Sequence, residues 1–165
     1  MRKHLSKTKI IFLILFSVIL IVSITWGIHH HMMFGKYENI TFDYSVPGAK
    51  ISYKDNLTFS VSKTRYLDFG GNLGIVDAEN GRYLIVWPSL FKDNTYGFMM
   101  SDAEQTYNFL IDLKGNLLNK DDFPYSVQLI YDNNKIHAIY LLEQFSQWSK
   151  AAEKEDRSFF ETDNL

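Results

Sequence analysis

Cysteine is absent from all 165 residues. No disulfide can brace the fold, no thiol can act as a nucleophile, and no sulfur is available for lipid attachment or for a thiolate-held metal. Nineteen consecutive residues, Ile10 to Ile28, carry no charge, and no acid occurs before Glu38. The familiar catalytic and phosphate-binding patterns are missing as well: there is no Walker loop, no Gly-x-Ser-x-Gly, no His-Glu-x-x-His and no calcium loop of alternating acids. Asp121-Asp122 and Asp132-Asn133-Asn134 lack calcium-loop spacing. Asp68-Phe69-Gly70 copies the magnesium tripeptide of protein kinases, but without the glycine-rich loop, the strand lysine or the catalytic loop it is a chance match.

The uncharged stretch is apolar on every side. Ile10-Ile11-Phe12-Leu13-Ile14-Leu15-Phe16 and Val18-Ile19-Leu20-Ile21-Val22 leave no polar stripe, the pattern of a helix that wants lipid around it. At 1.5 Å rise per residue it spans about 28 Å, close to the hydrocarbon thickness of a bilayer. Ser17, Ser23 and Thr25 can each bond a carbonyl one turn back. Trp26 falls near the far end, where an indole favours headgroup depth. A cleaved secretory signal would have a shorter apolar region and small residues at the cut; Thr25-Trp26-Gly27 is a poor cleavage site, so an uncleaved anchor is expected. Arg2, Lys3, Lys7 and Lys9 place the N-terminus in the cytoplasm by the positive-inside rule. Ser23 and Gly27 form one small-xxx-small pair, too little to specify helix pairing.

Removing the first 28 residues leaves 137, enough for one domain with a real core. That part holds all 19 acids against 13 of the 17 basic residues, a net charge of −6 that argues against a nucleic-acid partner. Aromatic residues make up 16% of the chain, mostly Phe and Tyr, which suit pleated surfaces. Period-two alternation predicts strands over Ile40 to Val46, Ile51 to Tyr53 and Leu57 to Ser62, with Pro47-Gly48 and Lys54-Asp55-Asn56 as turns. Beyond the glycine-rich Gly70 to Gly74, Ile75-Val76 and Tyr83 to Trp87 follow. The second run is apolar on both faces, expected as a central strand covered on one side, and Pro88 ends it. Tyr96 to Met100 and Tyr107 to Leu113 give two more strands. Val127 to Tyr131 and Ile136 to Tyr140, flanking Asp132-Asn133-Asn134-Lys135, read as a hairpin. Leu141, Phe145, Trp148 and Ala152 then share one face of a helix that could cover the sheet, with Gln144, Gln147, Lys150 and Lys154 opposite.

Three expected hairpins open with Asp77, Asp112 and Asp132. Their spacing has no period, and an Asp side chain bonding its own turn explains them without a repeat. The ten tyrosines, from Tyr37 to Tyr140, recur about once per expected strand; ordinary sheet packing with hydroxyls at the rim accounts for them.

The fold class expected is α+β: an N-terminal transmembrane helix followed by a small, mostly antiparallel β-sheet domain with a C-terminal amphipathic helix. The expected divisions are a basic cytoplasmic tail over 1–9, an anchor over 10–28, a juxtamembrane link over 29–38, an extracytoplasmic β-rich domain over 39–157 and a frayed tail over 158–165. His29-His30-His31-Met32-Met33 has the ligand softness that copper favours, but adjacent side chains diverge and no acid closes the site, so an interfacial collar is the reading adopted. His137 stands within an expected strand with no nucleophile or acid at motif spacing. No catalytic, cofactor or metal residue is assigned, and no cofactor is expected. Asn39-Ile40-Thr41 and Asn56-Leu57-Thr58 are formal glycosylation acceptors that matter only in a eukaryotic secretory pathway. The expected partners are the bilayer through residues 10–28 and another protein through the outer domain. The expected function is a single-pass, membrane-anchored, extracytoplasmic binding module without catalytic activity, one concrete form being an immunity-type protein that binds a secreted toxin. An accessory subunit of a membrane or envelope complex is the alternative, and an envelope enzyme without a recognisable motif the second.

Overall fold

The structure, a computed structural model, describes residues 7–41, 44–62, 66–101 and 105–161. Its first element, α1 (Lys7–His30), has no buried residue. It carries a run long and apolar enough to cross a membrane, and no other helix among the described residues does. Ser17, Ser23 and Thr25 donate to the carbonyls of Leu13, Ile19 and Ile21, at 2.7 to 2.9 Å, so the hydroxyls are satisfied within the helix.

The helical path does not stop at His30. A π-helical turn, His31–Gly35, leads directly into the short α2, Lys36–Glu38. The stretch 29–38, expected as a link, is therefore helical throughout, and the reason is burial: Phe34, Tyr37 and Ile40 are core residues. Within the strand expected over Ile40 to Val46, Tyr44–Val46 pairs, as β1. Thr41 is buried where α2 ends, and residues 42 and 43 lie outside the described residues.

Seven strands follow in a meander, each antiparallel to the next: β1, β2 (Ala49–Lys54), β3 (Leu57–Ser62), β4 (Leu73–Asp77), β5 (Arg82–Trp87), β6 (Thr95–Ser101) and β7 (Thr106–Ile111). Asp55 and Asn56 take positive φ values of 49° and 64° between β2 and β3, the two-residue turn whose twist matches the strands. Side chains alternate across the sheet. Phe59, Ile75, Leu84, Phe98 and Phe109 line up on one face, neighbours through the strand register, and all are buried.

That face is covered by α3, Tyr125–Glu153. Leu141, Phe145, Trp148 and Ala152 are buried on it as their spacing predicts, and Gln147, Lys150 and Lys154 face solvent. The hairpin expected over 127–140 is not formed; the helix runs straight through it. The apolar stripe of α3 begins earlier than it first reads, with Val127, Ile130, Tyr131 and Ala138 at helical spacing against the core. Asp132-Asn133-Asn134 favour turns locally, but they contain no glycine or proline to break a helix, and burial of the stripe outweighs a weak propensity. Pro124 precedes the helix as its N-cap.

Trp148 sits at the centre of the core, with rings of Tyr37, Phe59, Phe145 and Phe160 at centroid distances of 4.9 to 6.5 Å. Tyr37 therefore ties α2 to α3, and its hydroxyl donates to Ser149 Oγ at 3.0 Å. Tyr131 donates to the Gly115 carbonyl at 2.8 Å from a fully buried position. These two tyrosines, with Tyr96, belong to the core and not to the rim. The C-terminal stretch expected to fray is folded through Phe160: a 3-10 turn, Arg157–Phe160, presses Phe160 against Phe59, because the ring gains a place in the aromatic cluster. Residues 162–165 lie outside the described residues.

Candidate functional site

A meander with one helical cover leaves its other face open. On that face the strand register sets Tyr53, Thr58, Val76, Tyr83, Met99 and Asn108 in one row, and Ile51, Ser60, Gly74, Ile85, Gly97 and Leu110 in the next. Tyr53, Trp87 and Leu110 are exposed there, and Val76, Tyr83, Ile85 and Met99 are half-buried by one another. The run Tyr83 to Trp87 thus has its two apolar faces for different reasons. Leu84 and Val86 meet the core under α3, whereas Tyr83, Ile85 and Trp87 form the middle of the open face.

Gly97 shapes this surface. A Cβ at that position would lie 2.8 Å from the Trp87 ring, so the indole can occupy the space over Gly97 only because that residue has no side chain. Beside it is a concavity of about 120 Å³ lined by Ile85, Trp87, Gly97, Met99, Asn108 and Leu110. Gly74 repeats the relation more weakly, since a Cβ there would meet Ser60 Oγ at 2.6 Å. The face offers aromatic and thioether contact area with a few polar edges, a composition suited to protein contact.

The polar groups gather elsewhere, at the end of the sheet marked by the β4–β5 turn. His137 Nε2 lies 2.8 Å from Asp77 Oδ2. Asn80 donates to the same carboxylate through its backbone N–H at 3.1 Å and its side-chain amide at 2.9 Å. Burial raises the Asp77 pKa, but the hydrogen bonds from Asn80 and the contact with His137 outweigh it and hold the carboxyl below its ordinary range. One turn away on α3, Asn134 Oδ1 accepts from Arg82 Nη2 at 2.8 Å and Nε at 3.1 Å. Its amide in turn donates to the Ile130 carbonyl at 2.8 Å.

His137 is therefore a helix residue and not a strand residue, and its acid partner stands 60 positions earlier, where no spacing rule could find it. The hydroxyl-bearing ring beside it is Tyr140, edge-on at 5.8 Å. Burial first, then Asp77 and Asp55, push the Tyr140 pKa up, away from an activated phenolate. Asp77 is engaged by its own turn and by the helix, so the pair works as a fastener between α3 and the sheet.

The remaining sequence candidates have local roles. Asp112 Oδ1 accepts from the backbone of Lys114 and Asn116 at 2.8 and 2.7 Å, the turn-bonding expected of it. Those bonds leave Asp112 little freedom for chemistry in the neighbouring concavity of about 450 Å³, which Asp93, Tyr96, Asp112 and Lys114 help to line. Asp132, expected to start a hairpin, is an exposed position on α3. Asp68 Oδ1 accepts from the Gly70 N–H at 2.8 Å, a purely local turn. The three histidines at the end of α1 and the start of the π-helical turn diverge: His29 meets Phe69, His30 lies 3.6 Å from Glu38, and the His31 ring covers Gly35. Among the described residues no three His, Cys, Asp or Glu side chains converge as a metal site would require. No family model matches the chain, and no curated protein or solved structure matches it either.

Proposed function

We propose that the protein is a single-pass, membrane-anchored binding module. On this reading α1 spans the bilayer with Lys7 and Lys9 on the cytoplasmic side, the sheet domain lies outside, and the open sheet face receives another protein. The observation that carries the binding role is the uncovered patch formed by Tyr53, Tyr83, Ile85, Trp87, Met99 and Leu110, set opposite the face that α3 seals. Aromatic and Met side chains in a half-exposed patch give contact area at low entropic cost. The net charge of −6 after residue 28 favours a partner with a basic rim around an apolar centre. A secreted toxin neutralised at the cell surface is one partner of that kind. Catalysis is not part of the proposal, because Asp77, the buried acid beside His137, is occupied in closing its own turn and fastening the helix.

The test uses the full chain in its native membrane with a photocrosslinking residue at Tyr83 or, separately, at Gln147 on the solvent face of α3. A single discrete adduct from Tyr83, absent from Gln147 and abolished by Met99→Glu, is expected. Equal labelling from both positions, or none from Tyr83, would overturn the proposal.

A further inference from the structure

The β3–β4 connection turns back toward α1, and two of the α1 residues it touches, Ser23 and Trp26, lie inside the apolar span. Tyr66 meets the hydroxyl of Ser23 and stands edge-on to Trp26 at 5.2 Å. Trp26 Nε1 donates to the Asp68 carbonyl at 2.9 Å, and Phe69 stands edge-on to His29 at 5.3 Å. Ser23 lies five residues before Ile28, about 7 Å along the helix axis inside the end of the span. A loop that touches Ser23 reaches the depth of the headgroup and acyl boundary on the side where α1 leaves the membrane.

The side chains suit that depth and do not suit water. Tyr66, Leu67 and Phe69 are 63%, 40% and 45% exposed, so the domain itself gives these apolar groups little cover. Leu67 also holds φ at +63°, a left-handed conformation that glycine or asparagine would adopt more readily. The turn thus presents an apolar side chain outward from a backbone conformation that few apolar residues adopt. The Asp68 carbonyl and the Gly70 N–H both have protein partners, which lowers the cost of leaving water. The strand register sets the β5–β6 connection at the same end of the sheet, and there Phe91 is 93% exposed.

We propose that Tyr66, Leu67 and Phe69 enter the headgroup layer of the bilayer that α1 crosses, a second lipid contact that fixes the tilt of the sheet relative to the membrane. The occupant is a lipid surface, held by apolar and aromatic burial and not by charge, since the domain is net acidic. This rests on the reading of α1 as a membrane span.

The absence of cysteine allows a direct test. Full-length chains carrying Leu67→Cys or Phe69→Cys, labelled with an environment-sensitive fluorophore, would be placed in phosphatidylcholine vesicles containing nitroxide lipids. Ile19→Cys serves as the deep reference and Ala78→Cys, at the opposite end of the sheet, as the aqueous one. Quenching by shallow nitroxides severalfold stronger at 67 and 69 than at 78, with a blue-shifted emission, is expected. If 67 and 69 behave like 78 while 19 is quenched by deep nitroxides, the loop lies in water and the proposal fails with the anchor intact. If 19 is not quenched, the anchor reading fails and takes this one with it. Protection of 67 and 69 in native membranes but not in lipid vesicles would assign the loop to a protein neighbour and overturn the lipid contact.

Discussion

His137 on α3 and Asp77 at the end of β4 meet at 2.8 Å, joining positions 60 residues apart. Asn80 bonds the same carboxylate, so one acid closes its own hairpin and anchors the helix that crosses it. Removing that acid strands donors on both sides. Asp77→Ala is expected to destabilise the domain by about 1–3 kcal/mol, read from the denaturation midpoint of the full chain in detergent.

The same carboxyl sets a pH dependence. Its native pKa lies below that of the unfolded chain, so its stabilising contribution is complete above the ordinary Asp value of about 3.9 and is lost as pH falls through the lowered native value. Asp112, lowered by hydrogen bonds from Asn116 and Lys114, acts with the same sign. Unfolding midpoints measured from pH 6 downward should fall more steeply for the natural chain than for Asp77→Asn; parallel curves would deny Asp77 this role.

Gly97 and Trp87 are coupled by contact. Gly97→Ala should displace the indole and cost about 1–3 kcal/mol, with a change in tryptophan fluorescence. In a Trp87→Ala background the same substitution should cost clearly less, because the collision is gone. Additive costs in the double-mutant cycle would show that the ring is not what holds position 97 to glycine.

Trp148 is fully buried, and its indole N–H has no hydrogen-bond partner among the described residues. Trp148→Ala should lose about 3–5 kcal/mol through cavity formation among Tyr37, Phe59 and Phe160. Trp148→Phe should lose much less, since it keeps an aromatic ring and removes an orphaned donor. Thermal unfolding of the two variants under one condition would separate these contributions.

Ile136 tests the long helix. As one strand of the hairpin its alternating neighbours would place it in a sheet, whereas on α3 it is 84% exposed. Ile136→Lys is expected to leave stability within about 0.5 kcal/mol of the natural chain. Slow hydrogen exchange of the amides from 132 to 136 would mark the helix through the segment; fast exchange there would mark a turn.

Much of this molecule can be read from short-range pattern. The apolar run of α1, the alternation of β3 and the i, i+4, i+7, i+11 stripe from Leu141 to Ala152 each repeat with a period that their own backbone geometry dictates. The turns of Asp77 and Asp112 are legible for a similar reason, because the side chain bonds backbone only a few residues away. Four features escape that reading: the first half of α3, the helical run through 29–38, the place of Phe160 in the core, and the partner of His137. Each depends on surfaces far away in sequence. Asp132-Asn133-Asn134 suggest a turn until Tyr131 and Ala138 are buried against the sheet.

The sequence alone therefore determined the presence of a helix with a long uncharged apolar run, a cysteine-free β-rich domain, and the side-chain types on each strand, since those follow from local chemistry. The tertiary structure decided which sheet face α3 covers and which stays open, and that the β3–β4 loop returns to Ser23 and Trp26. A strand's pleat assigns its residues to two faces, but only the packing of a distant helix decides which of the two meets water.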